Sequence, residues 1–325
     1  MTLFLVRRIL QGSVIVFAMS IIVFMGVYAI GNPVEILINP DATPDIKQQA
    51  IEKLGLDKPV WEQYGYFLWN ALRGDLGNSF IYDEPALQLI LQAMPATLEL
   101  AVASLVLALV FGIPLGMIAG YWPDSVGSKA IMTGSILGFS LPSFWVGLML
   151  IMLFAVHWGW LPSGGRGDTV TVLGMELSFL TWDGLTHLFL PALNLALFKI
   201  SLVIRLTRAG MREALQQDYI KFAHAKGLPV RRVVFVHAFR NILIPIVTVL
   251  GLELGTVIAF AVVTETVFSW PGMGKLIIDS INLLDRPIIV AYLMLTVLMF
   301  VVINLLVDLT YSLIDPRVRL TEMDE

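Results

Sequence analysis

RLTRAGMREALQQDYIKFAHAKGLPVRRVVFVHAFRNILIP, residues 205–245, is the longest basic stretch of the chain and holds eight of its 21 lysines and arginines. These are Arg205, Arg208, Arg212, Lys221, Lys226, Arg231, Arg232 and Arg240. Apolar runs long enough to cross a bilayer flank it on both sides. A basic segment between two spans belongs on the cytoplasmic face of a membrane. Within it, Met211, Leu215, Tyr219 and Phe222 recur at helical spacing, while Arg212, Gln216, Lys221 and His224 fall mostly on other faces. Gly227 supplies a C-terminal stop, and Pro229 bars continuation. A second helical pattern, Phe235, Phe239, Ile242 and Ile246, then runs into the next apolar stretch. The expected product is a short amphipathic helix, a break and a return helix. Such a knob either rests on lipid headgroups or docks a partner protein.

Composition sets the class. Hydrophobic residues make up 57% of the 325 and charged residues 14%, with a mean hydropathy of +0.81. Soluble domains carry ~25% charged residues, so this is a polytopic membrane protein whose first partner is the lipid bilayer. The absence of cysteine excludes disulfide scaffolds, thiolate metal sites and cysteine nucleophiles. The run after Arg7-Arg8 is too long for a signal-peptide core and reads as a retained anchor.

Six stretches meet the ~20-residue requirement for a membrane helix: 9–30, 96–120, 130–156, 187–204, 242–264 and 288–313. The N-terminus, the 121–129 turn, the 205–241 loop and the C-terminus together carry 13 basic and 7 acidic residues. The alternate segments, 31–95, 157–186 and 265–287, carry 7 basic and 15 acidic. The bias places both termini and the 205–241 loop in the cytoplasm. Segment 31–95 is too long for a simple turn; 46–54 and 61–72 read as helices, punctuated by Gly55, Pro59 and Gly74. It serves as a packing cap, as a platform for an external protein, or as both. Gly112, Pro114 and Gly116 allow close approach and a kink in the second span, and Ser140 to Trp145 do similar work in the third. Trp158 and Trp160 lie where an interfacial aromatic belt is expected.

Three blocks carry a resemblance. Asp218-Tyr219-Ile220-Lys221-Phe222-Ala223-His224-Ala225-Lys226-Gly227, with His237-Ala238-Phe239-Arg240-Asn241 and Pro245, resembles the signature loop of ABC-importer permeases, and most closely the dipeptide/oligopeptide/nickel group. So do Pro95-Ala96-Thr97-Leu98-Glu99-Leu100 and Glu265-Thr266-Val267-Phe268-Ser269-Trp270-Pro271-Gly272-Met273-Gly274. The resemblance implies an all-α integral membrane protein with six transmembrane helices, in the type I ABC-importer permease fold. An external helical insertion (31–95) would follow the N-terminal helix (1–30). A five-helix core (96–313) and a cytoplasmic tail (314–325) would complete it. It also implies a location in a bacterial or archaeal cytoplasmic (inner) membrane. The implied partners are a second homologous permease subunit, two ATPase subunits holding ATP and Mg, and an external substrate-binding protein; nucleic acid is not among them. Asp218, Tyr219, Phe222, Ala223, Ala225, Lys226 and Gly227 would form the element that couples to the ATPase. Small residues there permit close approach, and Lys226 would pair with acidic groups on the ATPase rim.

Other residues keep two readings. Trp270, Pro271 and Gly272 form either a packed turn or part of an external gate. Gly-Met-Gly-Lys at 272–275 is no phosphate loop, since the Ser or Thr after Lys is missing. Ionisable groups inside a membrane are candidate functional groups. Glu99 is expected to reach headgroups, and Lys199 and Arg205 to snorkel. Asp308, a turn from Asn304, reads as a structural hydrogen bond or a transport group. Glu253, near the middle of the fifth span, is either a protonated or hydrogen-bonded helix contact or a wall of the substrate path; the resembling family often has Gln there. An ion-coupled secondary transporter using Glu253 and Asp308 is the alternative. No catalytic or metal site is expected, since the four histidines are scattered and hydrolase motifs are lacking.

Overall fold

The computed structural model describes residues 2–29, 48 and 57–314. In chain order its elements are α1 (Thr2–Ala29), α2 (Val60–Leu72), α3 (Ala86–Tyr121), α4 (Val126–Ser140) and α5 (Ser143–Leu150), which continues as a π-helix (Ile151–His157). A hairpin of β1 (Val170–Val172) and β2 (Met175–Leu177) follows, then α6 (Trp182–Gln216), α7 (Asp218–Ala225) and the single turn α8 (Val230–Arg232). A second π-helix (Val233–Ala238) leads into α9 (Phe239–Val267), α10 (Met273–Asn282) and α11 (Arg286–Ile314). The expected helix over 46–54, apart from residue 48, and the expected tail beyond residue 314 lie outside the described residues.

Five helices are long and apolar enough to cross a membrane, and a sixth span results if α4 and α5 count as one. That pair is broken within the Ser140 to Trp145 stretch, where a kink in the third span is expected, and its halves are bent by 107°. Pro142 is the cause. Its ring disfavours the helical conformation in the preceding residue, and Leu141 is extended, with ψ 139°.

The chain divides into two compact units. One comprises Met1–Met94 and Lys275–Val302. In it α1 packs on α2, the helix expected over 61–72. Ser20 Oγ and Tyr64 Oη share a hydrogen bond of 2.8 Å, and the Phe24 ring lies 5.3 and 5.7 Å from those of Tyr64 and Phe67. Ser79 Oγ donates to Asp285 at 2.5 Å, and the Phe80 amide donates to the same carboxylate at 3.1 Å.

The other unit comprises Pro95–Gly274 and Ile303–Glu325. Its helices α3 and α6 meet along a stripe of glycines. A Cβ at Gly112, Gly116 or Gly120 would lie 2.7, 2.5 and 2.6 Å from the Cβ of Val203, Thr207 and Met211 respectively. Spaced by four, these glycines occupy one helix face and let two backbones approach as larger residues would not. Two expectations are corrected here. The fourth span does not end at 204, since α6 runs on to Gln216. The single amphipathic helix expected across 211–222 is split by the extended Gln217, with ψ 149°. Met211 and Leu215 therefore belong to α6, and Tyr219 and Phe222 to α7. The hairpin was not expected. Its alternating Val170-Thr171-Val172 and Met175-Glu176-Leu177 strands pair in antiparallel register, around Leu173 and Gly174 at φ 52° and 81°.

Candidate functional site

The basic segment folds as a short helix set in a socket. On α7 the side chains of Ile220 and Ala223 are buried, in one cluster with Met211, Ala214, Val233 and Ala238. The opposite face is open: Phe222 is 61% exposed and Tyr219 40%, and Ala225 and Lys226 lie beside them. Ala223 thus faces the chain's own core, which corrects its expected place on the outer side, while Tyr219, Phe222 and Ala225 lie on the open face. The Lys226 ammonium lies 4.5 Å from the centre of the Phe222 ring. Asp218 and Lys221 pair at 2.8 Å on the exposed side. Gly227 closes the helix at φ 72°, with Leu228 N–H donating to the Ala223 carbonyl and Gly227 N–H to that of His224. That double bond pattern is the Schellman cap, which favours glycine at the left-handed position. Asn241 Nδ2 donates to Tyr219 Oη at 2.6 Å, tying α7 to the first turn of α9.

Glu253 lies on the face of α9 that meets α6. Ile242, Ile246, Leu250, Val257, Ala261 and Thr264 follow that stripe at helical spacing, and all are buried. Lys199 of α6 forms an ion pair with the Glu253 carboxylate and donates to Thr256 Oγ1 at 3.1 Å. Thr256 Oγ1 lies 2.6 Å from the same carboxylate. The expectation that Lys199 snorkels is therefore corrected: its ammonium pairs with a carboxylate across the helix interface. Eleven residues further along α9, Thr264 accepts a hydrogen bond from Asn194 Nδ2 at 2.9 Å. Polar rungs thus join two otherwise apolar helix faces.

The third cluster gathers at the start of α3 and the end of α9. Glu265 is fully buried and accepts from Thr97 Oγ1 at 2.7 Å, while Thr97 Oγ1 accepts the Met273 amide at 2.8 Å. Trp270 is fully buried and donates its indole N–H to the Ala96 carbonyl at 2.9 Å. A Cβ at Gly272 would stand 2.5 Å from both Glu265 carboxylate oxygens, so any larger residue there would displace that buried carboxylate. Pro271 is exposed. Ser269, at φ 50°, ends α9 in the left-handed conformation that glycine fills at 227.

Glu99 overturns its expectation as well. It does not reach towards headgroups but accepts from Arg166 Nη2 at 2.8 Å, from the Ser178 amide at 2.6 Å and from Ser178 Oγ at 3.0 Å. These partners hold the 157–181 segment on α3. No group of three or more metal-ligating side chains is close enough to hold an ion among the described residues. Sequence reasoning missed Arg166 and Thr97 as partners. They lie 67 and 168 residues from the carboxylates they bind, Glu99 and Glu265, so no local spacing signals either pairing.

Five helices long and apolar enough to cross a membrane, with polar rungs between two of them, define a polytopic membrane protein. Residues 112–320 match the family described as binding-protein-dependent transport system inner membrane component, and residues 1–101 match its N-terminal membrane component. The chain is 41% identical over 302 residues to the di/tripeptide transport system permease protein DppB of Pseudomonas aeruginosa (strain UCBPP-PA14), covering 89% of this chain and 90% of that one. It is 38% identical over 321 residues to the oligopeptide transport system permease protein AppB of Bacillus subtilis (strain 168), covering 98% and 100%. Its fold is similar to a chain of the inward-facing MetNI methionine ABC transporter, with a TM-score of 0.52 and 14% identity over 70% of this chain and 97% of that one. The chain belongs to the family of binding-protein-dependent transport system inner membrane components, and is a permease subunit of an ABC importer in the type I fold.

Proposed function

We propose that this chain is one of two membrane subunits of an ATP-driven importer of di- and oligopeptides, with both termini and α7 on the cytoplasmic side. The face of α7 carries the reading. An eight-residue helix is fixed to its own core by Ile220 and Ala223, yet presents Tyr219, Phe222 and Ala225 outward. A helix so anchored moves with the ends of α6 and α9 when a partner displaces it. That partner is an ATPase subunit that binds ATP and Mg, two copies serving this permease and a second homologous one. A ligand-loaded external binding protein delivers the peptide. Orientation rests on the basic excess of the segments that α7 shares with the termini. Trp270, Pro271 and Gly272 belong to the external gate, and Glu253, neutralised by Lys199, lies on the substrate path.

The test is uptake of a labelled dipeptide by proteoliposomes holding the complete complex. Uptake that requires ATP inside and binding protein outside supports the reading. Uptake abolished by collapsing an ion gradient, with ATP intact, overturns it in favour of a secondary transporter. The Lys199 ion pair already weighs against Glu253 as a free proton or cation carrier.

A further inference from the structure

The break between α4 and α5 is placed where lipid does not tolerate it. Helix α4 has 15 residues, about 22 Å at 1.5 Å per residue, short of the ~30 Å apolar layer. Taken as one span, α4 and α5 put the break at Leu141-Pro142 within that layer, and Ser140, Leu141 and Pro142 are all exposed. Non-helical backbone at such depth occurs only against protein or beside water. Pro142 caps α5, and its ring has no acceptor to offer the first-turn amides.

A charge sits at the same level. The Arg205 guanidinium of α6 lies 5.2 Å from the centre of the Phe139 ring, one residue before the break. It forms no ion pair among the described residues. Resting on an aromatic ring and paired with no carboxylate, that guanidinium is open to water or an anion. Phe139, before the break, and Phe144 and Trp145, after it, are 54%, 51% and 43% exposed.

From these two observations, and resting on the importer reading above, we infer that the Ser140–Ser143 break and Arg205 form a water-facing subsite on the translocation path. It takes the main chain and C-terminal carboxylate of a short peptide. Arg205 receives the carboxylate, as a planar fork suited to it. The uncoiled backbone offers hydrogen bonds that do not depend on peptide sequence, and the three rings accept side chains of any type.

The native chain has no cysteine, so single cysteines report cleanly. In the purified complete complex, S140C is expected to react with a charged maleimide about a hundred-fold faster than V110C on an exposed face of α3, because the reagent is excluded from lipid. Dialanine should slow S140C labelling, and dialanine amide should not. The S140C/R205Q variant should need about ten-fold more dialanine for the same protection, the loss of one charge-assisted contact. An inert S140C in every nucleotide state means that the break is covered by protein, for instance the second permease, and overturns the inference. So does labelling unaffected by dialanine, or protection equal for the amide and the free acid. In each case ATP-driven, binding-protein-dependent uptake by the wild-type complex leaves the importer reading standing, whereas failure of that uptake removes the reading independently.

Discussion

The indole N–H of Trp270 donates to the Ala96 carbonyl at 2.9 Å, and both residues are fully buried. The bond staples the turn after α9 to the first turns of the second span. It makes Trp270 both a packing residue and a candidate gate residue, so the two roles need a variant that separates them. Trp270→Ala does not, since emptying such a site costs about 3–5 kcal/mol. Trp270→Phe keeps an aromatic ring and removes the donor, leaving one buried carbonyl unpaired at about 1–3 kcal/mol. The expected result is a complex that assembles with a modestly lower Tm and hydrolyses ATP faster without binding protein. Unchanged basal hydrolysis and uptake would leave the bond a purely structural role.

Glu253 and Lys199 are expected to behave as a unit. Their side chains are 25% and 19% exposed, so the pair lies between a surface bridge, worth about 0–1 kcal/mol, and a fully buried one, costing about 3–5 kcal/mol to break. Either Glu253→Gln or Lys199→Met alone should lower the Tm of the complex, because each strands the partner. The Lys199→Met/Glu253→Gln double variant should recover part of that loss. If the double variant is as stable as wild type but its uptake is impaired, the pair serves the path. If uptake and stability recover together, the pair is a helix contact.

Much of this was legible in the sequence, and the failures share a cause. The apolar stretches located the spans because burial in lipid needs only composition and length. Gly227 announced its left-handed cap because no other residue takes that conformation as readily. The side-chain pairings were not legible. Glu99, Lys199 and Glu253 each looked alone in a single span, and headgroups or protonation were the nearest remedies on offer. Their partners come from segments 54 or more residues away in the chain, a distance that periodicity does not reach. The split at Gln217 was hidden for another reason. Met211, Leu215, Tyr219 and Phe222 keep helical spacing on both sides of one extended residue, so the pattern reads as continuous.

The Glu99–Arg166 bridge predicts where this permease is most fragile. The two side chains are 2% and 9% exposed, and Glu99 also holds the amide and hydroxyl of Ser178. Arg166→Met should cost about 3–5 kcal/mol, chiefly by stranding a buried carboxylate. Pairing it with Glu99→Gln should restore part of the loss, because a neutral amide still accepts from Ser178. Limited proteolysis is the direct measure, with cleavage expected first within 157–181. Equal resistance of Arg166→Met and wild type would show that the segment is held by other contacts.

The last prediction concerns α7, where burial changes the choice of variant. Ala223 is 5% exposed, so Ala223→Asp would place a charge in the chain's own core and lower assembly whatever docks outside. Phe222 is the better probe, since most of its surface is free and its loss leaves the core intact. Phe222→Asp is expected to leave Tm and membrane insertion near wild type while abolishing ATP-driven uptake and reducing association with the ATPase. Gly227 supplies an independent handle. A Cβ there meets nothing within 4 Å, so Gly227→Ala acts through backbone strain alone, at about 1 kcal/mol. It should loosen the end of α7 and weaken coupling without changing expression. Ala225→Cys, on the open face, should form a disulfide with a cysteine placed in the ATPase groove, at a rate that depends on bound nucleotide. Normal uptake by Phe222→Asp, with no cross-link in any nucleotide state, would show that α7 is not the element that receives the ATPase stroke.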